Sequence, residues 1–123
     1  MQVPGITEFS NSGCCLESSV MRREELKSLD ENRSIAHLDF DKVGIATVRF
    51  WRNGDRIKPL GMAGHRLLSD IFVDHKIPEF DRRTIPLVFS GRNIAWIGGV
   101  MISDDFKVDR DTKTILRIAL CER

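Results

Sequence analysis

Residues 85–97 read Ile85-Pro86-Leu87-Val88-Phe89-Ser90-Gly91-Arg92-Asn93-Ile94-Ala95-Trp96-Ile97. Two apolar runs flank Ser90-Gly91-Arg92-Asn93, whose residue types suit a tight turn. The stretch predicts a hairpin. Pro86 has no N–H to give to a ladder, so the first strand starts there or runs along an edge.

The period changes upstream. Leu67, Leu68, Ile71, Phe72 and His75 fall on one helical stripe, with Asp70 and Asp74 on the outer side. This predicts one main helix near 65–76, closed by Pro78. Leu68, Phe72, Leu87, Ile94 and Trp96 are expected to be buried where this helix meets the hairpin. Pro59, Gly61 and Gly64 mark a loop before it. Further back, Ile45–Trp51 alternates Ala46, Val48 and Phe50 against Ile45, Thr47, Arg49 and Trp51, then stops at Asn53-Gly54. Ile35–Phe40 places Ala36, Leu38 and Phe40 on one face. Downstream, Ile115–Leu120 alternates again. Residues 14–20 admit a strand. Residues 21–29 contain helix formers, but Leu26 and Leu29 make only a thin stripe. Residues 1–13, with Pro4, Gly5, Ser10, Asn11, Ser12 and Gly13, read as turns around a short extended piece. Strands, one helix, then strands is the order of an α+β domain with antiparallel or mixed sheets.

The 123 residues are 41% hydrophobic and 30% charged, which suits a packed domain and not a disordered chain. No apolar run approaches the roughly 20 residues that cross a bilayer. No secretory signal pattern opens the sequence. Cys14, Cys15 and Cys121 are odd in number and two are adjacent, so reduced thiols and a cytoplasmic setting are expected.

Net charge is only +1, but it is unevenly spread. Residues 49–92 carry Arg49, Arg52, Arg56, Lys58, Arg66, Lys76, Arg82, Arg83 and Arg92 against Asp55, Asp70, Asp74, Glu79 and Asp81. The excess is mostly arginine, whose planar fork suits bidentate phosphate contacts. Composition alone leaves a solvated loop face equally open.

No catalytic or nucleotide signature accompanies this excess. His37, His65 and His75 stand in no metal-ligand spacing, and no C-x-x-C, G-x-G-x-x-G or P-loop occurs. His75 reads first as a half-buried packing residue; a hydrolase using His75 and Asp74 is the enzyme alternative. Asp104-Asp105 and Glu24-Glu25 read as solvated pairs. Gly98-Gly99 reads as a bulge or turn.

Residues 49–62 (Arg49-Phe50-Trp51-Arg52-Asn53-Gly54-Asp55-Arg56-Ile57-Lys58-Pro59-Leu60-Gly61-Met62) resemble the R-x-W-R-x-G-D-R-x-x-P-x-G-M pattern of the C-terminal region of tRNA(Ile)-lysidine synthetases. The match continues through Gly64–Pro78, through Arg82 or Arg83 before Ile85-Pro86, and through Ile94-Ala95-Trp96-Ile97-Gly98-Gly99. It closes with Phe106-Lys107-Val108 and Thr112-Lys113, and the Val3-Pro4-Gly5-Ile6-Thr7 opening is also similar.

The resemblance implies a layered unit containing a β-sandwich, like a domain of the phenylalanyl-tRNA synthetase β-subunit. It also implies residues 1–34 leading into a C-terminal tRNA-binding domain at 35–123. The family enzyme uses ATP and lysine to convert a wobble cytidine of an isoleucine tRNA into lysidine. Its ATP site is a Ser-Gly-Gly-x-Asp-Ser loop in an N-terminal catalytic domain. Ser12-Gly13-Cys14 does not match that loop, so this chain is expected to carry no cofactor of its own. The implied partners are the tRNA body, near the acceptor stem, and the enzyme's own catalytic domain.

Shape-reading of A-form RNA needs cations for phosphates. Arg52, Arg56 and Lys58 flank the Asn53-Gly54 turn, with Arg66, Lys76, Arg82 and Arg83 as extensions. The family's helix often opens with consecutive basic residues, whereas this one has His65-Arg66-Leu67, which shifts emphasis to the turn. Asp55 is expected to orient the arginines or cap the turn. Trp51 and Trp96 suit core packing better than base stacking. A protein-docking module without RNA contact is the alternative from another class.

Overall fold

A computed structural model describes residues 1–9, 14–27 and 32–122. The chain forms β1 (Gly5–Glu8), β2 (Cys14–Arg22), β3 (Ile35–Asp39), α1 (Phe40–Val43), β4 (Ala46–Arg49), β5 (Arg56–Ile57) and β6 (Arg66–Leu67). There follow α2 (Leu68–Asp74), α3 (Glu79–Arg82), β7 (Leu87–Ser90), β8 (Asn93–Ile97), β9 (Met101–Ile102) and β10 (Thr114–Glu122). The α+β expectation holds, and every strand pair is antiparallel. The turn expected around Ser10–Gly13 and the end of the 21–29 segment lie outside the described residues.

Two four-stranded sheets stack as a sandwich. The first has the order β1-β2-β10-β3, the second β4-β7-β8-β9, and β5-β6 form a small separate ribbon. Residues 14–22 do form a strand, and β2 pairs with β10 along its whole length. The segment after it is a single 3-10 turn, Arg23–Glu25.

The predicted hairpin is β7-β8, and it divides the hydrophobic interior. Val88, Ala95 and Trp96 face the first sheet and join Leu16, Leu38, Leu116 and Ile118. Leu87, Phe89, Ile94 and Ile97 face the opposite way and pack with Leu68, Ile71 and Phe72 of α2. Ile94 and Ile97 are three apart, which a regular strand of period two cannot place on one face. A bulge between Val88 and Phe89 shifts the register and permits it. Trp96 therefore corrects one expectation: it is buried, but on the sandwich side of the hairpin and not under the helix. Gly98 keeps the hairpin's end tight. Its N–H bonds to the Pro86 carbonyl at 2.9 Å, and a Cβ there would lie 3.0 Å from that oxygen.

The helix is shorter than its periodicity suggests, because Arg66 and Leu67 pair with β5 and delay its start to Leu68. Its end is also not made by Pro78. Ile77 N–H bonds to the Phe72 carbonyl and Lys76 N–H to the Val73 carbonyl, with Lys76 at φ 56°. This is the Schellman arrangement, with a lysine in the left-handed position where glycine is usual. Pro78 instead precedes a second short helix, α3, that the sequence pattern did not reveal.

The cysteines correct the expectation of reduced thiols. Cys15 and Cys121 are joined by a disulfide, while Cys14 is not disulfide-bonded. They lie 106 residues apart in sequence, but the β2-β10 register sets them directly opposite, with Cα atoms 5.1 Å apart. Opposed cross-strand positions fall within bonding reach, and spacing along the chain carries no trace of this.

Candidate nucleic-acid interface

The turn after β4 is built around Asp55. Its carboxylate accepts two bonds from the Arg49 guanidinium, Nη2 to Oδ1 at 2.8 Å and Nη1 to Oδ2 at 2.9 Å. It also accepts the Arg52 backbone N–H at 2.8 Å. The Asp55 backbone carbonyl takes the Leu68 N–H at 3.0 Å, tying the turn to the start of α2. Gly54, at φ 94°, supplies the left-handed step that brings the chain back. Burial opposes ionisation of Asp55, but the Arg49 and Arg52 donors outweigh it and hold its carboxyl below the ordinary value. The Asp55 hydrogen bond raises Arg49 in return. Asp55 thus both orients an arginine and caps the turn, and the arginine it holds is Arg49, which also lies 4.3 Å over the Phe89 ring.

The seven basic residues singled out from the sequence fall into different environments. Arg52 and Arg56 are exposed, and no described carboxylate pairs with either. Arg83 is exposed too, its guanidinium 5.2 Å from the Trp51 ring. Trp51 packs edge-on against Phe72 at 5.6 Å, so the end of α3 returns beside the Arg52 turn. Arg82 lies 5.7 Å over the Phe72 ring and donates Nε–H to the Ile77 carbonyl at 3.1 Å. Lys76 is exposed at the end of α2.

The other two are neutralised locally. Lys58 lies 3.2 Å from Asp105 and 3.9 Å from Asp104. Arg66 pairs with Asp74 at 2.7 Å. Arg66 also shares the Ile57 face of its ribbon, whereas Arg56 shares the Leu67 face. The structure therefore brings Arg52 and Arg83 to one edge of the molecule. It leaves Lys58 and Arg66 beside carboxylates with which a phosphate would have to compete.

Two further basic residues, not singled out from the sequence, border cavities. Arg92 is exposed at the β7-β8 turn, bordering a cavity of about 410 Å3 with Thr47, Arg49 and Phe89. Arg33 borders a second cavity, at the open side of the sandwich. Neither belongs to a motif; only tertiary position marks them.

The hydrolase alternative finds no geometry. Asp74 is engaged by Arg66, and His75 Nδ1 faces Arg33 Nη1 at 3.5 Å. Among the described residues no cluster of His, Cys, Asp or Glu could hold a metal ion, and no helix is long and apolar enough to cross a membrane. Asp104 and Asp105 are not a free acidic pair. Asp104 accepts the Gly61 N–H and a Lys107 ammonium hydrogen bond, which lower its pKa.

Residues 46–120 match the family model of the TilS substrate C-terminal domain. The chain is 43% identical over 98 residues to a tRNA(Ile)-lysidine synthase of Clostridium perfringens, covering 77% of this chain and 21% of that protein. It is 35% identical over 119 residues to the one from Caldanaerobacter subterraneus, covering 96% and 25%. The chain thus spans about a quarter or less of the relatives it matches. Its fold is that of a crystallised TILS C-terminal domain, with TM-score 0.85 at 23% identity over 99% of this chain and 93% of the other. An N-terminal fragment of the phenylalanyl-tRNA synthetase β-subunit from Pyrococcus horikoshii is also similar in fold, with TM-score 0.61 at 21% identity over 72% and 28%. With the expected β-sandwich in place and the match running from β4 into β10, this chain belongs to the TilS substrate C-terminal domain family.

Proposed function

We propose that this chain is the tRNA-holding part of a tRNA(Ile)-lysidine synthase. It binds the tRNA body on the acceptor-stem side, while an upstream ATP-dependent domain converts the wobble cytidine to lysidine. The observation that carries this is the pair Arg52 and Arg56. They are exposed, no carboxylate among the described residues pairs with either, and they are mounted on a turn whose shape is fixed by Arg49 and Asp55. Rigid mounting matters because phosphate contacts set register as well as affinity. Arg83, over the Trp51 ring, continues the surface. Lys76 and Arg82 adjoin it through α2 and α3. Lys58 and Arg66 contribute after exchanging their carboxylate partners for phosphate.

The test is binding of an isoleucine tRNA across a salt series, for the native chain and for Arg52→Ala/Arg56→Ala. If both arginines neutralise phosphates, the slope of log K against log salt flattens by up to about 2. Affinity falls similarly for unrelated tRNA sequences. An unchanged slope and affinity would instead favour a surface that docks protein and never meets RNA.

A further inference from the structure

Arg92 and Arg49 border the same cavity, of about 410 Å3, from different elements. Arg92 stands in the two-residue turn of the β7-β8 hairpin, where Ser90 pairs with Asn93. Gly91 takes the first position of that turn at φ 59°, which keeps it tight. Thr47 and Arg49 share one face of β4, and Thr47 lies opposite Phe89 in the ladder. The Phe89 ring lines the cavity and sits 4.3 Å under the Arg49 guanidinium. Arg49 spends Nη1 on Asp55 and the Phe50 carbonyl, and Nη2 once on Asp55. Its Nε–H and the second Nη2 hydrogen have no acceptor among the described residues. Arg92 and the Thr47 hydroxyl are exposed, and neither bonds to a described residue. No Asp or Glu lines the cavity.

We propose that this cavity is a phosphate site, taking one backbone phosphate of an RNA on Arg92, on the unused donors of Arg49 and on the Thr47 hydroxyl. The proposal rests on the RNA-binding reading above and adds to it a contact away from the Asn53-Gly54 turn. The donors select an oxyanion. Both charged groups at the cavity are guanidiniums, whose planar fork matches phosphate, and the hydroxyl between them can donate as well. Arg49 is already held by Asp55 and by the Phe89 ring, so little ordering remains to be done on binding. The same guanidinium connects the cavity to the Arg52 turn, because the Asp55 carboxylate that grips it also caps that turn. A polyanion lying on Arg52 and Arg56 can therefore continue past Arg49 to Arg92, whereas an isolated anion would use the cavity alone.

The experiment measures binding of a blunt RNA hairpin across a salt series, with a thermal melt of each protein, for the native chain, Arg92→Ala, Thr47→Val and Arg52→Ala/Arg56→Ala. Arg92→Ala should flatten the slope of log K against log salt by about 1 and weaken binding about tenfold near 0.1 M salt. Thr47→Val removes a hydrogen bond but no charge. It should weaken binding roughly fivefold at every salt concentration and leave the slope unchanged. Adding Arg92→Ala to Arg52→Ala/Arg56→Ala should sum the slope losses, up to about 3. Melting temperatures should stay at the native value, since neither Arg92 nor Thr47 has a side-chain partner to lose among the described residues. Unchanged affinity and slope in Arg92→Ala and Thr47→Val, with weakening confined to Arg52→Ala/Arg56→Ala, would overturn the proposal and leave the RNA-binding reading intact. A native chain that does not bind the hairpin would overturn both. Titration of the isotope-labelled chain with inorganic phosphate separates the two sources of anion. Saturation of the Gly91 and Arg92 amide signals by phosphate, with hairpin binding indifferent to Arg92→Ala, would make this a free-anion site and overturn the RNA assignment. A drop in melting temperature large enough to account for the lost binding would place Arg92 in the framework and overturn it as well.

Discussion

Arg49 and Asp55 lie six residues apart and form a two-pronged ion pair, with both contacts under 3 Å. The pair is formed inside the segment that resembles the family pattern, and it explains why that segment needs an acid among its bases. Asp55 holds the loop to which the proposed function assigns the RNA contacts.

Replacing Asp55 by Asn should cost about 1.5–3 kcal/mol at neutral pH, the range for hydrogen bonds to charged groups. The pH dependence has a definite sign. Asp55 has a lowered folded-state pKa, so its contribution is fully present above the unfolded value of about 3.9 and is lost as pH falls through the folded value. Urea unfolding at pH 7 and below about pH 4 should show the native and Asp55→Asn curves converging in acid. A constant gap across that range would mean that the ionised carboxylate is not what stabilises the turn.

Phe72→Ala should cost about 3–5 kcal/mol. Phe72 is fully buried and contacts Trp51 and Arg82 besides the hairpin. The loss combines lost transfer energy with a cavity under α2. A change below about 1 kcal/mol, the level of a surface site, would contradict the packing described.

Lys76→Gly should stabilise the domain by up to about 1 kcal/mol, since only the left-handed conformation is relieved and the side chain is exposed. Thermal melts of the variant and of Lys76→Ala separate the two effects. Alanine keeps the strain and should bring no gain.

Arg52→Ala/Arg56→Ala should change unfolding free energy by no more than about 1 kcal/mol while weakening tRNA binding. Neither side chain has a partner to lose among the described residues. A large loss of stability in denaturant titration would show that these arginines belong to the framework, as Arg49 does.

How much of this was legible depended on whether the information was local. The hairpin at 87–97 was readable as two apolar runs around turn residues, since both of its faces are buried. The stripe Leu68-Ile71-Phe72 and the alternation in β4 and β10 were readable because one-sided burial imposes a period on neighbouring residues. The Gly54 turn and the role of Asp55 were readable for the same reason: all the interacting groups lie within seven residues. The strand β2 was nearly invisible. Its alternation is polar, with Glu17, Ser18 and Ser19, and only pairing with β10 on one side and β1 on the other makes it a strand.

The remaining features were decided by tertiary structure. Which face of the hairpin buries Trp96 depends on a bulge that shifts the register by one residue, and a one-residue shift reverses every side chain beyond it. The Cys15–Cys121 disulfide exists because two strands distant in sequence align in one register. Charge accessibility was equally hidden. Arg52 and Arg66 look alike in sequence, but Asp74 at the far end of α2 pairs with Arg66 in β6, while no described carboxylate forms an ion pair with the Arg52 side chain. The sequence by itself determined the hairpin, the main helix, the alternating strands, the turn and the supply of cations, since these follow from local periodicity and residue chemistry. Only the tertiary structure decided which cations keep their charge free for an anion, because that depends on carboxylates brought in from other elements.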